Sequence, residues 1–137
     1  MKIWTVDAFA SQPYTGNPAA VTIVEEFPLD DLCLKIAAEI NLSETVFVKP
    51  LKDGTFHIRW FTPTVEVNLC GHGTLAAAHI LFQMSPVPNG SLSFTSLSGP
   101  LFVTQAPDGI TLNFPLQEIG SRLPAEGLIE QLDLEES

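Results

Sequence analysis

The sequence of 137 residues has little positive charge, with six Lys and Arg against 16 Asp and Glu, and its net charge is −10. Nucleic acids and anionic membrane surfaces bind proteins through cationic patches, so this shortage argues against both as partners. Much of the negative charge lies in the last dozen residues, at Glu126, Glu130, Asp133, Glu135 and Glu136. We expect that end of the chain to be solvated.

Long apolar runs and paired cysteines are also missing. No segment reaches the roughly 18 apolar residues of a membrane span, and the first residues lack the basic-then-apolar layout of a signal peptide. A cytoplasmic location is therefore expected by default. Cys33 and Cys70 form no paired spacing, which favours two free thiols over a disulfide framework.

Apolar residues are plentiful, at 45% of the chain. A chain of this length usually forms one domain that buries roughly two-thirds of its surface. Charged residues make up 16% of the sequence, whereas ordinary soluble domains have roughly 25%. Part of the apolar surface is therefore expected to face a partner.

The residue patterns predict an α+β domain of seven short, mainly antiparallel strands and two helices. The predicted strands are rich in β-branched and aromatic residues and cover residues 2–9, 19–24, 43–49, 55–63, 91–96, 100–105 and 110–115. Asp30 can cap the first helix, which has an apolar stripe and should end near Asn41. The second, over residues 73–83, is apolar all round, which is typical of a buried central helix.

A Cys-Gly-His-Gly sequence, residues 70–73, stands directly before the second helix. The first amides of a helix have no intrahelical partner, and the helix dipole adds about half a positive charge there. Glycines at 71 and 73 would let a ligand approach that backbone, so this is a candidate carboxylate or phosphate site. The same position would favour the thiolate of Cys70, and His72 could act as acid, base or hydrogen-bond donor.

Other interpretations of these four residues stay open at this point. Cys70 and His72 could be a nucleophile with its base, an acid and base pair, or an inert cysteine and a satisfied histidine at the cap of a buried helix. A zinc site is disfavoured, because one Cys-x-His pair with only His57 and His79 elsewhere does not supply four ligands.

Glu44 is a second candidate, at the start of an apolar strand between Leu42 and Val46. If its carboxylate points inward it is desolvated, as a general acid or base working near neutrality requires. The alternative is that residues 43–45 form an exposed strand edge.

Four segments together resemble the N-terminal half of the PhzF-like phenazine-biosynthesis proteins, which are relatives of diaminopimelate epimerase and proline racemase. They are VDAFASQPYTGNPAAV, NLSETVFV, CGHGTLAAAH and FTSLSGPLFVTQAPDGITLNFP, in this order and spacing. The resemblance runs from Lys2 to about Pro115. It implies two similar halves, each a mainly antiparallel sheet curled around a central helix, with an active site in the cleft between them.

The resemblance also implies roles for individual residues. Glu44 corresponds to the proton-transfer residue of the family. The substrate-binding positions are His72, Gly71, Gly73, Thr74 and Asn17. Cys70 stands where the related epimerases keep a catalytic thiol, so it is a secondary acid/base candidate. No metal ligand and no cofactor are implied.

The second half of such a protein has no counterpart after the predicted domain at residues 1–120, because residues 121–137 form an acidic linker or tail. The sequence thus predicts the N-terminal domain of a cofactor-independent isomerase that acts on a small carboxylate-bearing substrate. A homodimer or a separate C-terminal half would complete the site, and an isolated monomer is expected to be inactive. The alternative is a catalytically inactive half-domain or fragment that serves as an assembly module.

Overall fold

The computed structural model describes residues 2–7, 18–84, 90–106 and 109–113. Within these ranges the strands are β1 (Trp4–Asp7), β2 (Pro18–Ile23), β3 (Glu44–Pro50), β4 (Phe56–Phe61), β5 (Glu66–Val67), β6 (Ser91–Ser96), β7 (Gly99–Ala106) and β8 (Gly109–Asn113). The helices are α1 (Asp30–Ile40) and α2 (Gly71–Met84), and neither is long and apolar enough to cross a membrane. The predicted boundary near residue 120 and the acidic tail lie outside these ranges.

The strands form one sheet in the order β1-β2-β3-β4-β6-β7-β8, and β5 pairs with β4 off this path. Most neighbours are antiparallel, but β2 runs parallel to β3 and β4 runs parallel to β6. The connection within each parallel pair contains a helix, since α1 lies between β2 and β3, and α2 lies between β4 and β6. The predicted α+β class with a mainly antiparallel sheet is confirmed.

Helix α2 is the centre of the core, as its apolar sequence predicts. It contacts β2 and β3 and also the two end strands, β1 and β8, so the sheet curls around it. Its buried residues form most of two helical turns: Gly73, Thr74, Leu75, Ala76, Ala77, Ala78, Ile80 and Leu81. The helix begins two residues earlier than predicted, so Gly71 and His72 belong to its first turn.

Helix α1 packs on the opposite face of the sheet. Because side chains alternate along a strand, Val46 and Val48 of β3 face α2, whereas Phe47 packs with Cys33 and Ala37 of α1. The predicted end of α1 is confirmed, since Asn41 takes a left-handed conformation with φ of 59° and donates its N–H to Ala37 O.

The predicted cap of α1 is wrong. The N-cap residue is Leu29, without a side-chain cap bond, and Asp30 is the first helical residue. The Asp30 carboxylate instead accepts a hydrogen bond from Arg59 Nη2 at 2.9 Å. The side chain predicted to cap the helix therefore forms an ion pair with Arg59 instead.

Arg59 of β4 joins α1 to the short strand β5. Its Nε and Nη2 donate to the two carboxylate oxygens of Glu66 at 2.8 and 2.9 Å. Its guanidinium carbon lies 5.2 Å from the ring centroid of Phe27 and 5.1 Å from that of Phe61. The hydrogen bonds to Glu66 raise the pKa of Arg59, although burial opposes them. A bidentate pair of this kind fixes β5 against β4.

Candidate active site

Glu44 is the first residue of β3 and lies opposite Ala19 of β2. It shares a strand face with Val46 and therefore points to the side of the sheet that carries α2. Its side chain is 14% exposed. Glu44 is thus a largely buried carboxylate with a small opening to solvent, and it is not part of an exposed strand edge.

Cys70 caps α2 with its sulfur atom. The carbonyl oxygen of Cys70 accepts the N–H of Thr74 at 3.1 Å, and its Sγ accepts the N–H of Gly73 at 3.3 Å. This is the bonding pattern of an N-cap residue, with a thiol in the place that a hydroxyl or carboxylate usually takes. Part of the anion-binding potential at the helix start is therefore already used by Cys70.

The environment of Cys70 keeps it a thiol at neutral pH. Burial, reinforced by the nearby charge of Glu44, raises its pKa to about 12, although hydrogen bonds from the amides of Gly73 and His72 oppose the shift. The expectation that the helix start favours the thiolate is therefore wrong. Desolvation and a like charge outweigh the helix terminus at this position.

His72 connects Glu44 with Cys70. Its Nε2 lies 2.8 Å from Glu44 Oε1, and its Nδ1 lies 3.7 Å from Cys70 Sγ. The Nε2 and Oε1 atoms are both buried and form a close electrostatic contact. The imidazole is 14% exposed, like the carboxylate. A carboxylate, an imidazole and a thiol thus form one cluster at the start of α2.

Two predicted substrate contacts face the protein interior. Thr74 is fully buried, and its hydroxyl donates to Cys70 O at 2.7 Å and accepts the indole N–H of Trp60 at 3.1 Å. A Cβ added at Gly73 would lie 3.0 Å from Trp60 Cδ1 and 3.1 Å from both Cys70 Sγ and Val46 Cγ2. Both residues let the start of α2 pack closely on β3 and β4, and their roles toward a substrate stay predictions.

The structure brings Glu44, Cys70 and His72 together, with Gly71 beside them as the first, partly exposed residue of α2. Asn17 lies outside the described residues. Trp60, which packs against the start of α2, was not among the residues predicted from the sequence. The burial of Trp60 could have been predicted from the alternation of side chains along β4, because Ile58 and Trp60 share one buried face of that strand.

We predict that Gly73→Ala destabilises the chain by about 1–2 kcal/mol, because the added methyl group overpacks three buried neighbours and outweighs the gain in helix propensity. Gly71→Ala is the matched control, since it makes the same exchange two residues earlier in the same helix, where the residue is partly exposed. Urea denaturation measures both. Equal midpoints for the two variants would show that Gly73 is not required for packing.

Known proteins with similar sequences identify the family of this chain. Residues 6–118 match the family model described as phenazine biosynthesis-like protein, PhzC-PhzF. The chain is 49% identical over 125 residues to the uncharacterized isomerase PA3578 of Pseudomonas aeruginosa, covering 88% of this chain and 47% of that protein. It is 45% identical over 123 residues to the human phenazine biosynthesis-like domain-containing protein, covering 85% of this chain and 43% of the human one.

This chain has the same fold as part of a crystal structure of a PhzF-family phenazine biosynthesis protein from Enterococcus faecalis. The TM-score is 0.76 at 44% identity, and the match covers 80% of this chain and 42% of the other. The chain thus spans about half the length of the curated relatives that it matches. On its sequence and its fold, the chain belongs to the PhzC-PhzF family of phenazine biosynthesis-like proteins.

Proposed function

We propose that this chain is the N-terminal half of a PhzF-like isomerase, in which Glu44 transfers a proton on a small carboxylate-bearing substrate. The observation that carries the proposal is the contact of Glu44 with His72 at the start of α2, where both side chains are 14% exposed. A general base must be desolvated yet reach its substrate, and this degree of exposure meets both needs.

In the proposed reaction, Glu44 takes a proton from a carbon next to the carboxylate or an unsaturated group, and returns it at another carbon. The negative charge that develops is stabilised by the imidazole of His72 and by the dipole of α2. The amides of Gly73 and Thr74 already donate to Cys70. We therefore place the substrate carboxylate against Gly71 and the His72 ring. The proton transfer needs neither a metal nor an organic cofactor.

The proposed site is completed by a second half, from the same chain, a separate chain or a second copy. The coverage of 47% and 43% of two relatives supports this arrangement. The same coverage supports the second candidate, a catalytically silent half that serves as an assembly module. The two candidates differ in whether a completed site moves protons.

We expect the chain to catalyse exchange of carbon-bound hydrogen with heavy water only when a second half is present. The test mixes this chain with the part of PA3578 that it does not cover, expressed separately, and follows a panel of small unsaturated carboxylates by proton NMR. Sedimentation velocity reports whether the two halves associate. Exchange in the mixture but not by either half supports the isomerase, whereas a stable complex without exchange supports the assembly module.

A further inference from the structure

Glu44, Cys70 and His72 each offer a metal-ligating atom to the same small volume. One carboxylate oxygen, the thiol sulfur and one imidazole nitrogen all lie within 4.8 Å of one another. Within the part of the chain that the structure describes, this is the one group of three His, Cys, Asp or Glu residues so arranged. The three come from two elements, the start of β3 and the start of α2.

The spacing of the thiol and the imidazole suits a tetrahedral cation. With zinc bonds of about 2.3 Å to sulfur and 2.0–2.1 Å to nitrogen, the two ligand atoms lie about 3.6 Å apart. The separation between Cys70 Sγ and His72 Nδ1 is 3.7 Å. The Glu44 carboxylate, now beside Nε2, would swing from that atom toward the cation. A site with three protein ligands and an open fourth position is the arrangement of exchangeable zinc sites.

Charge and chemistry favour the same class of ligand. The chain carries a net charge of −10, so a divalent cation approaches it through an attractive field. A thiolate, an imidazole and a carboxylate together select zinc and its borderline-soft relatives over magnesium or calcium, which prefer oxygen ligands alone. The Cys70 thiol releases its proton to solvent on binding, as metal-ligating cysteines do.

We infer that Glu44, Cys70 and His72 form a binding site for Zn²⁺ or a similar cation, and that its occupation inhibits the chain. The inhibition rests on the proposed function, because the cation would occupy the carboxylate and the imidazole that proton transfer uses. The binding itself does not rest on that function. A zinc site was disfavoured from the sequence because four protein ligands were required of it. A site with an open fourth position needs only three ligands from the protein.

The test titrates the untagged full chain with Co²⁺, which replaces zinc in such sites and gives a near-ultraviolet charge-transfer band when bound to a thiolate. We expect one Co²⁺ per chain with this band, and its loss when Zn²⁺ is added. Cys70→Ser should abolish the band and weaken Zn²⁺ binding at least about tenfold, while Ser keeps the helix cap. Cys33→Ala is the thiol control and should retain both the band and the affinity.

A charge-transfer band that survives Cys70→Ser, or that disappears in Cys33→Ala, would overturn the site, and circular dichroism confirms that each variant is folded. His72→Gln provides a second check, because it should weaken Zn²⁺ binding without touching the thiol. The binding experiment needs no activity, so it separates this inference from the proposed function. If the chain binds Zn²⁺ but the completed site shows no hydrogen exchange, the proposed function is wrong and the metal site stands. If hydrogen exchange continues while Zn²⁺ is bound, the inhibitory role is wrong.

Discussion

Glu44→Gln should lower the exchange of carbon-bound hydrogen by about 10²–10⁴-fold in a completed site, which is the usual contribution of a positioned general base. The substitution keeps the size and shape of the side chain and its place opposite Ala19, but an amide cannot accept and return a proton. The loss should appear in kcat rather than in KM, because the ability to bind the substrate carboxylate stays with Gly71 and His72. Single-turnover exchange followed by NMR measures it.

Glu66→Gln is the matched control for that experiment. Glu66 is also a partly buried carboxylate with a basic partner, and its side chain is 22% exposed, but it bonds Arg59 on the side of the sheet that carries α1. We expect the rate of hydrogen exchange in the Glu66→Gln variant to stay near that of the unmodified chain, with some loss of stability. Equal losses of exchange in both variants would mean that Glu44 acts through the fold and not as the base.

Trp60→Ala should lower the free energy of unfolding by about 3–5 kcal/mol, as truncation of a large buried aromatic side chain does. Trp60 is fully buried, and its indole N–H reaches Thr74, whose hydroxyl in turn donates to the Cys70 carbonyl. The substitution removes both the packing under α2 and this bond. For a domain whose total stability is about 5–15 kcal/mol, the loss is a large share.

Trp4→Ala serves as the comparison for Trp60, because Trp4 is the other tryptophan and lies partly exposed on the end strand β1. We expect it to cost clearly less than Trp60→Ala in urea denaturation of the same chain. If the two variants unfolded at the same urea concentration, the indole under α2 would not be the support that its burial suggests.

The sequence predicted the elements that have strong local signals. Helix α2 could be recognised as buried because it has no polar face, and the end of α1 at Asn41 because asparagine tolerates the left-handed conformation. Strand β5 was missed because two residues are too short for any periodicity. The parallel pairing of β4 with β6 is not encoded locally, since it depends on which strands meet after α2 has packed.

In the candidate site, too, local features could be predicted from the sequence and contacts between distant segments could not. The segment around Glu44 and the segment around His72 could each be singled out from the sequence, the first by a carboxylate in an apolar strand and the second by glycines before a helix. The contact between Glu44 and His72 could not be predicted from the sequence, because it arises when two elements pack together and the two residues are 28 positions apart in the chain. Nor could the cap formed by the Cys70 sulfur, or the burial that keeps Cys70 a protonated thiol in place of the predicted thiolate.

The two parallel pairings also account for the placement of the two helices on opposite faces of the sheet. Both crossovers step in the same direction across the sheet, from β2 to β3 and from β4 to β6, but the second pair of strands runs opposite to the first. If both crossovers have the right-handed sense that nearly all such connections adopt, their helices must fall on opposite faces. With α1 on the outer face, α2 lies on the face around which the sheet curls, and the cluster of acid, imidazole and thiol forms where that helix begins.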